Sequence, residues 1–223
     1  GTDRAYGPPK LYEGTQPTLY RNDGDGTFED VSVEAGVVVT NSSSGFNVAK
    51  SLAVLPIDLD RDGWMDLLVA NDTTQNFLYH NLGDGTFQEM GEDAGVAYDN
   101  RGLSTGCMGI DAAYYRNDDS LGIGIGNFSM EMTSFYVSGR NPLLFSDEAI
   151  IEGIGSPTRL LLSFGLFFFD YDLDGRLDLF QTNGHLEEEI SEIHRSQKYR
   201  QPAQLFWNSG SESGATFELV PSE

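Results

Sequence analysis

Positive charge is scarce in this chain: 13 Lys and Arg stand against 35 Asp and Glu in 223 residues, a formal net charge of −22. Nucleic-acid binding needs a basic footprint, so that class is excluded. Docking on anionic lipid is excluded for the same reason, while solubility and cation binding are favoured. Cysteine is nearly missing. The single Cys107 rules out an internal disulfide framework. It lies between glycine and methionine in a strand-like run and reads as a small core residue rather than a nucleophile. The three histidines, His80, His185 and His194, are scattered without zinc-ligand spacing. No residue is therefore assigned to catalysis or to an organic cofactor, and the chain is not read as an enzyme. No apolar run approaches the ~20 residues of a membrane span. The longest, from Leu160 to Phe169, is broken by Ser163 and Gly165. No signal peptide or initiator Met is visible, and a processed or excised piece is expected.

Aspartate in a fixed pattern is what the chain does have. In Asp170-Tyr171-Asp172-Leu173-Asp174-Gly175-Arg176-Leu177-Asp178, acids occupy positions 1, 3, 5 and 9 of a loop with glycine at position 6. Carboxylates this close repel one another and lose solvation. A hard cation removes that conflict, and calcium, with six to eight oxygen ligands in flexible geometry, fits best. The expected donors are the side chains of Asp170, Asp172, Asp174 and Asp178 and the backbone carbonyl of Arg176. The loop recurs as Asp58-Leu59-Asp60-Arg61-Asp62-Gly63-Trp64-Met65-Asp66, with Asp58, Asp60, Asp62, Asp66 and the carbonyl of Trp64 as donors. Two Ca2+ sites are expected. An EF-hand is excluded, because position 12 is Val69 or Gln181 rather than the bidentate Glu that loop requires. The apolar flanks read as strand, so each loop joins two β-strands.

A second repeat runs alongside. Residues 19–37 and 78–96 are identical at 11 of 19 positions, and each copy reads as strand, Gly-Asp-Gly turn, strand. Leu, Tyr and Phe are expected to face inward, and Asp25 and Asp84 to serve the turns. One unit is then four strands, with an acidic loop between the first two and a hairpin after them. Midway between the acidic loops the frame falls on Tyr114, Arg116, Asp118 and Gly122. This is a blade that has lost its ion, with Arg116 expected to neutralise Asp118 or Asp119 in a surface pair of small energetic value. Its hairpin, entered by Pro142-Leu143-Leu144-Phe145, lacks the Gly-Asp-Gly turn. A third unit opens at Arg159. A charged insertion at 186–200, with Ile190 and Ile193 three apart, is expected to form a short surface helix.

Four-stranded units repeating at this period predict an all-β fold, a partial β-propeller of antiparallel blades. The expected division is 1–45 as lead-in and closing hairpin of a preceding blade, 46–104 as a blade with calcium loop 58–66, 105–158 as a degenerate blade, and 159–223 as a blade with calcium loop 170–178 and the insertion 186–200. Its open sheet edges predict a protein partner or further copies. Trp64 and Trp207 could stack on sugar, but packing is the expected role of both. Asn41-Ser42-Ser43, Asn71-Asp72-Thr73 and Asn127-Phe128-Ser129 match the N-glycosylation pattern.

These residues resemble the FG-GAP/VCBS repeats of integrin-α-type β-propellers, and more closely the cartilage acidic protein and ASPIC/UnbV-associated family. The resemblance rests on Leu78 to Phe87 and its earlier copy, Cys107 to Asp111, Gly126 to Ser129, Phe168 to Phe180, Thr182 to His185, Tyr199 to Phe206, and the lead-in Tyr6-Gly7-Pro8. It implies a secreted, extracellular or periplasmic, calcium-stabilised propeller acting in adhesion, matrix or other binding roles. The function expected is thus non-catalytic calcium-dependent binding, adhesion or assembly. The alternative is a glycan-binding module or the accessory domain of a polysaccharide-active enzyme.

Overall fold

The structure is a computed structural model that describes residues 7–210 and 214–221; Tyr6 of the lead-in lies outside them. It contains a two-stranded hairpin and three four-stranded antiparallel sheets, each a simple meander in chain order. The hairpin is β1 (Tyr20–Asn22) and β2 (Phe28–Asp30). The first sheet comprises β3 (Ser51–Ile57), β4 (Asp66–Asn71), β5 (Phe77–Asn81) and β6 (Phe87–Glu89), followed by the single turn α1 (Gly91–Ala94). The second is β7 (Cys107–Ala113), β8 (Gly122–Asn127), β9 (Ser134–Ser138) and β10 (Phe145–Asp147), followed by α2 (Gly155–Thr158). The third is β11 (Ser163–Phe169), β12 (Asp178–Asn183), β13 (Gln204–Asn208) and β14 (Phe217–Leu219), with α3 (Ile190–Ile193) inserted before β13. These are three blades of a partial propeller, and the all-β reading holds.

The core lies between blades, where consecutive sheets stack face to face. Leu68, Leu78 and Val96 of the first blade meet Ile123, Ile125 and Tyr136 of the second. Tyr115, Phe135 and Ile154 of the second meet Leu179, Phe206 and Phe217 of the third. Strand β8 is buried on both sides, and its sequence Gly-Ile-Gly-Ile-Gly-Asn explains how. The isoleucines fill the first interface. On the other face, a methyl on Gly124 would sit 3.0 Å from Leu166, so the absent side chain lets the third blade close.

One junction repeats between neighbours. Gly36, Gly95 and Gly153 all have positive φ, at 76°, 81° and 87°. A Cβ on each would lie 2.7, 2.5 and 2.3 Å from the carbonyl oxygens of Phe87, Phe145 and Phe217, the first residues of β6, β10 and β14. The end of each hairpin therefore abuts the outer strand of the next blade, which places β1–β2 where a closing hairpin would stand.

Three expectations are corrected here. The hairpin of the second blade is intact but shifted: residues 134–138 form its entering strand, while Pro142 to Leu144 belong to the turn. The third blade's first strand starts at Ser163, because Gly155 to Leu161 turn helically. Tyr20 and Phe28 are both 61 % exposed, although Leu78 and Tyr79 of the matching hairpin are buried. No further strand of its own sheet flanks β1–β2 among the described residues. The short helix in the insertion is present, with Ile190 buried and Ile193 exposed.

Candidate metal centre

Each acidic loop is the bend between the first two strands of a blade. Its backbone passes through the left-handed region twice, at Arg61 (φ 61°) and Gly63 (φ 93°) in one loop, and at Leu173 (φ 62°) and Gly175 (φ 87°) in the other. That winding turns N–H groups toward the loop's own carboxylates. Asp58 accepts from the N–H of Asp62 (3.1 Å) and Gly63 (3.0 Å), Asp60 from Asp62 (3.2 Å), and Asp62 from Trp64 (2.8 Å). The second loop repeats every bond: Asp170 accepts from Asp174 (3.1 Å) and Gly175 (2.9 Å), Asp172 from Asp174 (3.3 Å), and Asp174 from Arg176 (2.8 Å).

The position-9 acids are anchored from outside. Asp66 accepts from Leu59 N–H at 3.0 Å and Asn81 N–H at 2.8 Å; Asp178 accepts from Tyr171 N–H at 2.9 Å and Asn208 N–H at 2.7 Å. Both are only 1 % exposed. Burial, followed by the charges of Asp172 and Asp174, pushes the Asp178 carboxyl above its ordinary pKa. A carboxylate offers about four lone-pair sites, so these bonds leave acceptor capacity for an ion.

Oxygens of Asp58, Asp60 and Asp66 lie within 4.8 Å of one another, and so do those of Asp170, Asp172 and Asp178. An all-oxygen anionic set suits a hard cation such as calcium. Asp62 lies instead within the same reach of Asp60 and His80. Asp174 pairs with the Arg176 guanidinium at 2.5 Å, which holds its carboxyl below the ordinary range. The N–H of Trp64 and of Arg176, each capped by the position-5 acid, fixes the peptides from which their carbonyls were expected to donate.

Two neighbours escaped the sequence reading. His80 Nδ1 stands 2.9 Å from Asp66 Oδ1. Trp207, at the matching place on β13, donates its indole N–H to Asp172 at 2.9 Å. Both arrive through strand pairing. The only local signal was the repeated Leu-Tyr-His-Asn and Leu-Phe-Trp-Asn that β5 and β13 share. Trp64 is 52 % exposed with its indole against Gly83, and Trp207, half-buried, serves a loop carboxylate.

The middle loop keeps the bend and, of the four acids, only Asp118 at position 5. Asn117, at position 4, has φ 55°. Asp118 caps Ser120 N–H at 2.7 Å, and Asp119 takes Arg61 at 2.9 Å. Arg116 pairs with neither. It lies 5.2 Å over the Tyr115 ring, hydrogen-bonds Glu152, and reaches Glu148 at 3.7 Å. The expected pairing with Asp118 or Asp119 is overturned by the turn after β10 of the same blade, which brings Glu152, 2 % exposed, within reach.

The other flagged residues resolve as follows. Asp25 and Asp84 accept from Thr27 and Thr86 inside the hairpin turns, and these bonds hold both carboxyls below their usual range. Cys107 is fully buried against Thr105 and Asn76, and burial pushes its thiol up to about 12. Asn71 and Asn127 are buried and bonded through their side-chain amides to Gln75 and Met132. Of the three glycosylation patterns only Asn41 stands exposed.

Residues 58–121 match the FG-GAP-like repeat family. The matched stretch runs from position 1 of the first acidic loop into the degenerate loop. The chain is also similar to cartilage acidic protein 1 of Homo sapiens, with 27% identity over 179 residues, 79% of this chain and 24% of that protein. The Mus musculus protein of the same name matches at 27% over 179 residues, 25% of its length. The chain thus spans about a quarter of the curated relatives it matches. No helix among the described residues is long and apolar enough to cross a membrane.

Proposed function

We propose that the chain is a non-catalytic, calcium-stabilised propeller segment that serves extracellular binding, adhesion or assembly. One observation carries the calcium reading. Two loops far apart in sequence hold the same acids on the same hydrogen bonds, each with a buried position-9 Asp whose charge needs compensation. Asp58, Asp60, Asp62, Asp66 and the carbonyl of Trp64 hold one ion. Asp170, Asp172, Asp174, Asp178 and the carbonyl of Arg176 hold the other. FG-GAP-like repeats commonly bind Ca2+, which agrees. The ion neutralises the loop and fixes the bend between the first two strands.

A protein partner, or another copy, covers the open ends. Arg61 reaches Asp119 of the next loop, and Asn117 reaches the carbonyl of Gly175 at 3.0 Å, so position 4 of one loop touches position 6 of its neighbour. Leu173 holds that place in the last loop and is 86 % exposed. Exposed Tyr20 and Phe28 offer an apolar surface at the other end. Calorimetric titration of chelated protein tests the metal. Two saturable Ca2+ sites are expected, with one lost in Asp58→Ala and the other in Asp170→Ala. Absence of calcium heat, or two sites retained in both variants, would overturn the assignment.

A further inference from the structure

The opposite end of the blades carries a cavity of about 490 Å³ between the β4–β5 and β8–β9 connections. Its walls are largely apolar, including Met108, Phe128 and Leu186. Lys10 and Glu187 line it, together with two further carboxylates, Asp72 and Glu131. The last two converge on Gly106: a methyl there would lie 3.3 Å from Asp72 Oδ1 and 3.6 Å from Glu131 Oε2. Glu131 accepts the Gly106 N–H at 2.7 Å. Neither acid has an ion-pair partner among the described residues. Burial pushes both carboxyls above their ordinary range. A third group points the same way. Thr73 Oγ1, also on the lining, is buried without a hydrogen-bond partner.

An apolar pocket of this size with a few converging polar groups is the usual form of a small-ligand site. Three acids against one lysine on the lining, in a protein of net charge −22, select for positive charge even with Lys10 and Lys50 acting on Glu131 and Asp72. Phe128 adds an aromatic ring beside them, a surface that favours ammonium groups. We propose that this cavity binds an organic ammonium ion: the charged head lies between Asp72 and Glu131, and the apolar body lies against Phe128, Met108 and Leu186. The ammonium comes from a free small amine or from a lysine side chain of a partner. The proposal does not rest on metal in the acidic loops, which lie at the other end of the sheets.

Isothermal titration of the calcium-saturated protein tests it, with the acidic loops thereby blocked as competing sites. Phenethylammonium is expected to bind saturably, and 2-phenylethanol, its neutral analogue, about tenfold or more weaker. Asp72→Asn and Glu131→Gln should each weaken the amine by about tenfold, with an unchanged Tm as the control for folding. The comparison of amine and alcohol on the unaltered protein decides the matter even where a variant misfolds. Nα-acetyl-lysine amide binding as tightly as phenethylammonium identifies a protein lysine as the source; weaker binding identifies a free amine. Alcohol binding as well as the amine, absence of saturation, or full affinity in the doubly substituted protein would each refute the site. Amine binding that survives while the calcium titration fails would separate this site from the metal assignment.

Discussion

The loops at 58–66 and 170–178 and the loop at 114–122 share a backbone and differ in charge. Position 4 is left-handed in all three, at Arg61, Asn117 and Leu173. Two loops crowd four acids around that bend. The third has Arg116 at position 3, and it turns to Glu152 in the turn after β10 of the same blade. Strand pairing and inter-blade packing set the bend, and the charge must be balanced afterwards. On the proposed function a cation balances it in the first case; in the second only Asp118 of the four acids remains, and Arg116 pairs with Glu152 and Glu148 instead.

Calcium removal should split the two kinds of loop most widely. An ion present at a hundred times its Kd stabilises by about 2.7 kcal/mol per site. Excess chelator is expected to lower Tm and to speed amide exchange at 58–66 and 170–178 while leaving 114–122 unchanged. Equal deprotection of all three loops would erase the distinction. Arg116→Met should act in the reverse way, destabilising by about 2–3 kcal/mol with or without calcium. Removing one member of a buried pair costs roughly 3–5 kcal/mol, and the lower figure reflects an Arg116 side chain that is 36 % exposed. Denaturant unfolding in calcium and in chelator measures both values.

The glycines sharpen the contrast between bend and packing. Gly63 and Gly153 both have positive φ, but a Cβ on Gly63 meets nothing within 4 Å, and one on Gly153 meets the Phe217 carbonyl at 2.3 Å. Gly63→Ala should cost about 1 kcal/mol of backbone strain. Gly153→Ala should cost about 2 kcal/mol or more, because a blade junction must also shift. Matching losses by urea denaturation would mean that the junction yields freely. Smallest of all, Leu173→Asn places at an exposed left-handed position the residue that the middle loop already has there. A gain of about 0.5–1 kcal/mol is expected, and a loss would show that Leu173 is held by contacts beyond this bend.

Legibility followed sequence distance. The acidic ligands lie within nine residues of one another, so spacing alone exposed both loops, and the Gly-Asp-Gly hairpins were local in the same sense. His80 and Trp207 reach loop carboxylates only through the pairing of β4 with β5 and β12 with β13. The partner of Arg116 was misassigned because Glu152 approaches from the turn after β10. Asn71 and Asn127 fit a surface motif yet are buried, since a three-residue pattern carries no record of which side of a strand end faces a neighbour.

Composition and spacing determined that this chain repeats a strand-loop-strand-hairpin unit, that two of its bends are crowded with acid, and that the middle one is not. These are properties of near neighbours, fixed by backbone geometry over a few residues. Which acid the middle blade's Arg116 finds was decided by the folding of that blade, and where Asp72 meets Glu131 by the stacking of sheets, because burial and long-range charge pairing depend on surfaces that a few neighbouring residues do not possess.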